Sequence, residues 1–173
     1  MSPQEIDTVR VYARAVLSKL GIKEPPVNIL EIAEHFKAKV VFSDRFPDDV
    51  FGCLLPLKNG EFVIVVNVFT SDTRKIFTVA HEIGHLYLRH HIVLDKFYSQ
   101  KRLQSSALAQ LDNAKGKMER LANVFASELL MPKHLVKRYY GLLRGDIDKL
   151  AEVFMVSKEA MEIRLEELDL LRG

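Results

Sequence analysis

The sequence predicts an α+β protein: a small three-stranded sheet packed on one central buried helix, followed by an all-helical C-terminal part. Three observations predict it. Apolar residues recur at helical spacing at both ends of the chain, from Ile6 to Leu20 and again from Leu121 onward. Short β-branched runs cluster between Lys39 and Asn67, with the hairpin turn signal Lys58-Asn59-Gly60 between two of them. Between these regions lies Thr78-Val79-Ala80-His81-Glu82-Ile83-Gly84-His85-Leu86, a His-Glu-x-x-His pattern embedded in apolar sequence.

The first helix is expected from about Pro3 to Leu20, with Gly21 as its stop. Pro25-Pro26 marks a linker, and Ile29, Ile32, Ala33 and Phe36 give a second helix on which His35 faces solvent. Three strands follow, at Lys39 to Ser43, Phe51 to Leu57 and Phe62 to Asn67, enough for a small antiparallel or mixed sheet. A sheet edge beside the next helix could hold an extended peptide by strand addition, though the sequence does not say which edge is free.

Ser71, Asp72 and Thr73 supply the cap of the central helix, expected from about Arg74 to Arg89 or His90. Four residues of α-helix turn the chain by roughly 400°, so His81 and His85 lie about 40° apart on one face. Both imidazoles can then reach one metal ion, and neutral imidazole is a favoured zinc ligand. Glu82 is rotated by roughly 100° from His81. It is poorly placed as a ligand but well placed as general base to an activated water. The bland alternative is a helix with two core histidines. Its flanks Ile76, Phe77, Val79, Ala80, Ile83, Leu86 and Leu88 argue against that, because His, Glu and His buried together are costly without a partner that orders them.

Residues from His91 to about Lys115 read as a connection across the cleft, with Phe97, Tyr98 and Leu103 as apolar islands. A second long helix then covers Met118 to Met131, preceded by Gly116. Glu119 and Asn123 share a face of it, being four apart. A catalytic zinc needs three protein ligands and an open position. Glu119 can be the third ligand, and Asn123 can receive the outer N–H of a ligand histidine. The competing reading of Glu119 is an exposed first-turn acid favoured by the helix dipole.

His91 is a rival third ligand, ten residues after His81 as in His-Glu-x-x-His-x-x-Gly-x-x-His. That pattern needs a glycine where this chain has Leu88. Without a break, His91 would lie about 9 Å beyond His85 along the helix. Candidates for an oxyanion donor are Tyr87, His90, His91 and Tyr98, and the sequence does not choose among them.

The C-terminal part is expected as helices from Pro132 to Leu143, Asp146 to Phe154 and Ser157 to about Leu171. The last two have helix-turn-helix rhythm. Glu159, Glu162, Glu166 and Glu167 on the last helix would be repelled by phosphate, so direct DNA binding is not expected and packing or docking of a partner protein is preferred.

Composition narrows the class. With 173 residues, 48% hydrophobic, 28% charged and a net charge of +2, the chain has no strong electrostatic bias toward nucleic acid or membrane. A lone cysteine, Cys53, excludes an internal disulfide framework. The N-terminus has no basic-then-apolar signal and no apolar run approaches spanning length, so a cytoplasmic location is expected.

The segments Phe77 to His85 and Glu119-Arg120-Leu121-Ala122-Asn123-Val124-Phe125-Ala126-Ser127-Glu128-Leu129-Leu130-Met131-Pro132 together resemble the ImmA/IrrE family of metallopeptidases, over about residues 25 to 170. The chain is expected to divide into a zincin-like metallopeptidase core with N-terminal helices in residues 1–131 and a helical subdomain with helix-turn-helix-like rhythm in residues 132–173. The resemblance implies Zn2+ held by His81, His85 and Glu119, with Glu82 as general base. It also implies a protease that cuts a helix-turn-helix repressor and so releases stress-response or mobile-element genes. The alternative is an inactive module that grips a repressor or partner protein without cutting it.

Overall fold

The computed structural model describes residues 2–47, 49–90 and 114–171. The first helix, α1 (Pro3–Lys19), begins with a reciprocal cap in which the Ser2 hydroxyl accepts from the Glu5 amide and the Glu5 carboxylate accepts from the Ser2 amide. Its apolar stripe, Val9, Ala13, Val16 and Leu17, is buried. Gly21 takes φ +69°, a left-handed conformation that ends the helix where the sequence predicts. Helix α2 (Ile29–His35) is capped by Asn28 and buries Ile29, Ile32 and Ala33, leaving His35 exposed.

The sheet contains β1 (Ala38–Ser43), β2 (Gly52–Pro56) and β3 (Phe62–Asn67) in the order β1-β3-β2. It is mixed: β3 lies centrally, parallel to β1 and antiparallel to β2. Val40, Ile64 and Leu54 stand in one row across it, and Ile64 and Leu54 are buried.

Helix α3 (Asp72–Tyr87) packs on β2 and β3, capped by the Ser71 hydroxyl. It starts two residues earlier than the spacing predicts and ends two or three earlier. Contact with β2 requires glycine at position 52. A Cβ there would lie 2.6 Å from the Thr78 methyl and 2.7 Å from the Val65 carbonyl oxygen.

Helix α4 (Ala114–Leu130) packs on both α3 and α1. Gly116 lies inside this helix rather than before it, so Glu119 sits in its second turn. Three shorter helices follow: α5 (Lys133–Leu142), α6 (Ile147–Phe154) and α7 (Lys158–Glu167). Pro132, Asp146 and Ser157 occupy their N-caps, and α7 stops short of Leu171. One buried apolar cluster runs from Val9 through Ile83 and Phe125 to Leu150 and Leu165, across the junction at residue 131. Arg164 of α7 is buried within it and bonds to the Met131 carbonyl and to the Glu128 carboxylate of α4. Among the described residues no helix is long and apolar enough to cross a membrane.

Candidate metal centre

Two helices build the site. Gly84 allows their approach: a Cβ on it would lie 3.1 Å from the Ala122 carbonyl oxygen, 3.2 Å from Ala122 Cα and 3.3 Å from Phe125 Cβ. That closeness brings Glu119 of α4 against the two histidines of α3. His81 Nε2 and His85 Nε2 are 2.9 Å apart. Glu119 Oε2 lies 3.2 Å from the first, and Oε1 lies 3.5 Å from the second.

These separations fit a metal. Donors at zinc bond lengths in a tetrahedron stand about 3.3 Å apart. Glu119 Oε1 is buried with no hydrogen-bond partner, as expected of an atom reserved for an ion. The side chains of His81 and Glu119 are 3% and 12% exposed, so the first-turn surface reading of Glu119 does not apply. The histidine–carboxylate set suits zinc and other borderline divalent ions.

The outer nitrogens of both histidines are also engaged. His81 Nδ1 is 2.8 Å from Asn123 Oδ1, one helical turn beyond Glu119. His85 Nδ1 is 3.0 Å from His90 Nδ1. The sequence had suggested His90 only as one of four oxyanion donors. Nothing in the spacing pointed to this contact, because His90 lies beyond the end of α3. Tyr87, another of the four, packs its ring among Tyr12, Phe36 and Phe125. His91 and Tyr98, and the connection to Lys115 with them, lie outside the described residues except for its last two positions.

Charges in the cluster respond to burial and to one another. Burial pushes the Glu82 carboxyl up, and the nearby imidazoles only partly oppose it. For His81 burial works the other way, but the Glu119 and Glu82 carboxylates outweigh it and raise its proton affinity. Burial disfavours the charge on Glu119, yet the two imidazoles hold its carboxyl well below the usual carboxylate range. His90 falls to about 4, first through burial and then through His85. Cys53 on β2 is pushed up to about 11 by burial and by Glu82, so it stays a thiol rather than a nucleophilic thiolate.

A small mixed sheet on a His-Glu-x-x-His helix, with a carboxylate from a second helix beside the two histidines, is an arrangement that the metallopeptidase class uses. Residues 52–166 match the model of the IrrE N-terminal-like domain, peptidase family M78, and the chain belongs to that family. The resemblance read from the two motifs is thereby borne out. No curated protein sequence matches the chain. Among solved structures, a Mycobacterium tuberculosis transcriptional regulator is similar at 23% identity and a TM-score of 0.64, over 92% of this chain and 46% of that one. The chain thus spans less than half of that regulator's length, and the likeness is one of fold.

Proposed function

We propose that this chain is a zinc-dependent endopeptidase, with His81, His85 and Glu119 as metal ligands and Glu82 as general base. The observation that carries the reading is the convergence of three ligand atoms within 4.8 Å of one another, next in sequence to a buried carboxyl that is not one of them. A zinc ion held there supplies Lewis acidity, lowering the pKa of water and polarising a carbonyl. Glu82 takes the proton of the attacking water on a carboxylate oxygen and returns it to the leaving amine. Burial raises the proton affinity of its carboxyl, the direction that suits a general base.

The substrate is a protein, a helix-turn-helix transcriptional repressor, which the enzyme would engage in extended form. Strand β2 supports this placement: it is an edge of the sheet and packs directly on α3 through Gly52 and Thr78. An antiparallel or parallel peptide added to that edge would run beside the metal helix. The acidic surface of α7 disfavours direct DNA contact.

The test is incubation of zinc-loaded wild type and Glu82→Gln with purified helix-turn-helix repressors, with fragments read by mass spectrometry. Cleavage by wild type, with Glu82→Gln binding equal zinc but slower by about 10²–10⁴-fold, is expected. Stoichiometric binding of intact repressor by zinc-loaded wild type would replace this reading with the non-cleaving module.

A further inference from the structure

We propose that His90 is the positioning residue for the metal ligand His85, an inference that rests on the zinc reading above. The argument starts from valence. His85 Nε2 faces His81 Nε2 and Glu119, so that nitrogen must offer a lone pair to an ion. A neutral imidazole that does so carries its hydrogen on Nδ1. His85 Nδ1 lies 3.0 Å from His90 Nδ1, which in the matching tautomer accepts that hydrogen and keeps its own on Nε2.

The chain is bent to make this contact. In a continuous helix, position 90 would be rotated by roughly 140° from position 85 and displaced by about 7.5 Å. Instead α3 ends at Tyr87, and Arg89 takes φ +50°. The His90 amide donates to the His85 carbonyl at 3.1 Å and the Arg89 amide to Leu86 at 3.2 Å. These are the two bonds of a Schellman turn, in which the residue two beyond the cap folds back over the third from the end. Such turns usually make an apolar contact there and usually have glycine at the left-handed position. Here the pair is His85 and His90, and an arginine accepts the left-handed strain.

The two ligands are therefore steadied by different parts of the fold, His81 from across the helix pair and His85 from its own helix terminus. Groups in this role typically change metal affinity by about 10–100-fold when removed.

The experiment measures zinc affinity of the full chain by competition with a chromophoric chelator, for wild type, His90→Ala and His90→Asn. Asparagine presents an acceptor oxygen near the place of His90 Nδ1. Expected are a Kd about 10–100-fold weaker for His90→Ala and recovery to within a few-fold for His90→Asn. The unfolding midpoints of the metal-free proteins should coincide. Long-range 1H–15N spectra of the zinc-loaded protein should show the His85 hydrogen on Nδ1. Unchanged affinity in His90→Ala, or failure of asparagine to restore it, would overturn the inference while leaving the metal site standing. A wild-type chain that takes no zinc would remove the metal reading and this inference with it.

Discussion

Asn123 Oδ1 meets His81 Nδ1 at 2.8 Å across the boundary between α4 and α3. The contact orients the imidazole so that Nε2 points toward Glu119 and His85. Because Asn123 and Glu119 are one turn apart on the same helix, both groups that address His81 are fixed by a single rigid element. Replacing Asn123 by Ala should weaken zinc binding by about 10–100-fold, while Asp, which keeps the acceptor, should retain it. Chelator competition at constant pH measures both. Equal affinity in the Ala variant would show that packing alone holds the ring.

Gly84 sets the distance between the same two helices. Alanine there is favoured by helix propensity by about 1 kcal/mol, whereas overpacking typically costs about 1–3 kcal/mol. The atoms met are mainly backbone of Ala122, which can yield only by moving α4 and Glu119 with it. Gly84→Ala should therefore lower zinc affinity more visibly than stability, with unfolding free energy reduced by under about 2 kcal/mol. Urea titration with and without zinc separates the two effects.

Much of this was legible in the sequence because it is local. Ser71, Asp146 and Ser157 cap helices where side-chain chemistry asks for caps, and Lys58-Asn59-Gly60 lies between paired strands. The four-residue spacings of His81 with His85, and of Glu119 with Asn123, specify shared helix faces before any fold is known. What was not legible depends on tertiary packing. Gly116 reads as preceding the second long helix but lies within α4. The order β1-β3-β2 depends on how β3 inserts between two strands that precede it. The spacing carries α3 on to Arg89 or His90, past its end at Tyr87, because the left-handed residue that stops it is Arg89 rather than the glycine that would signal a stop. That same turn hid the contact of His90 with His85.

Arg164 is a further case of tertiary control, a charged residue 1% exposed in the core. It donates to the Met131 carbonyl, to Glu128 and to Glu167, and Glu128 also accepts from Arg14 and from the Lys133 amide. The network ties α7 and α1 to the end of the helix that carries Glu119. Removing Arg164 leaves the Glu128 carboxylate buried with only part of its compensation. Arg164→Met should destabilise the protein by about 3–5 kcal/mol, and adding Glu128→Gln should recover part of that loss. Chemical denaturation of the single and double variants measures the coupling. Additive losses would mean that the ion pair matters less than the packing around it.

If His81, His85 and Glu119 hold the ion as proposed, metal removal should be felt by the whole fold, because these residues join α3 and α4, which also contact the sheet and α1. Without an ion, Glu119 Oε1 has no hydrogen-bond partner and two imidazole nitrogens face each other at 2.9 Å. An ion that binds only the folded chain adds about 2.7 kcal/mol at a free concentration one hundred times its Kd. For a chain of this length that corresponds to a rise in Tm of roughly 5–11 °C. Thermal unfolding of the chelator-treated protein, with zinc added back in steps, should show Tm climbing with the logarithm of zinc. His81→Ala and Glu119→Ala should both abolish the climb, since each removes one of the three proposed ligands. A climb that survives in Glu119→Ala would place the third ligand elsewhere, with His91 the first residue to replace next.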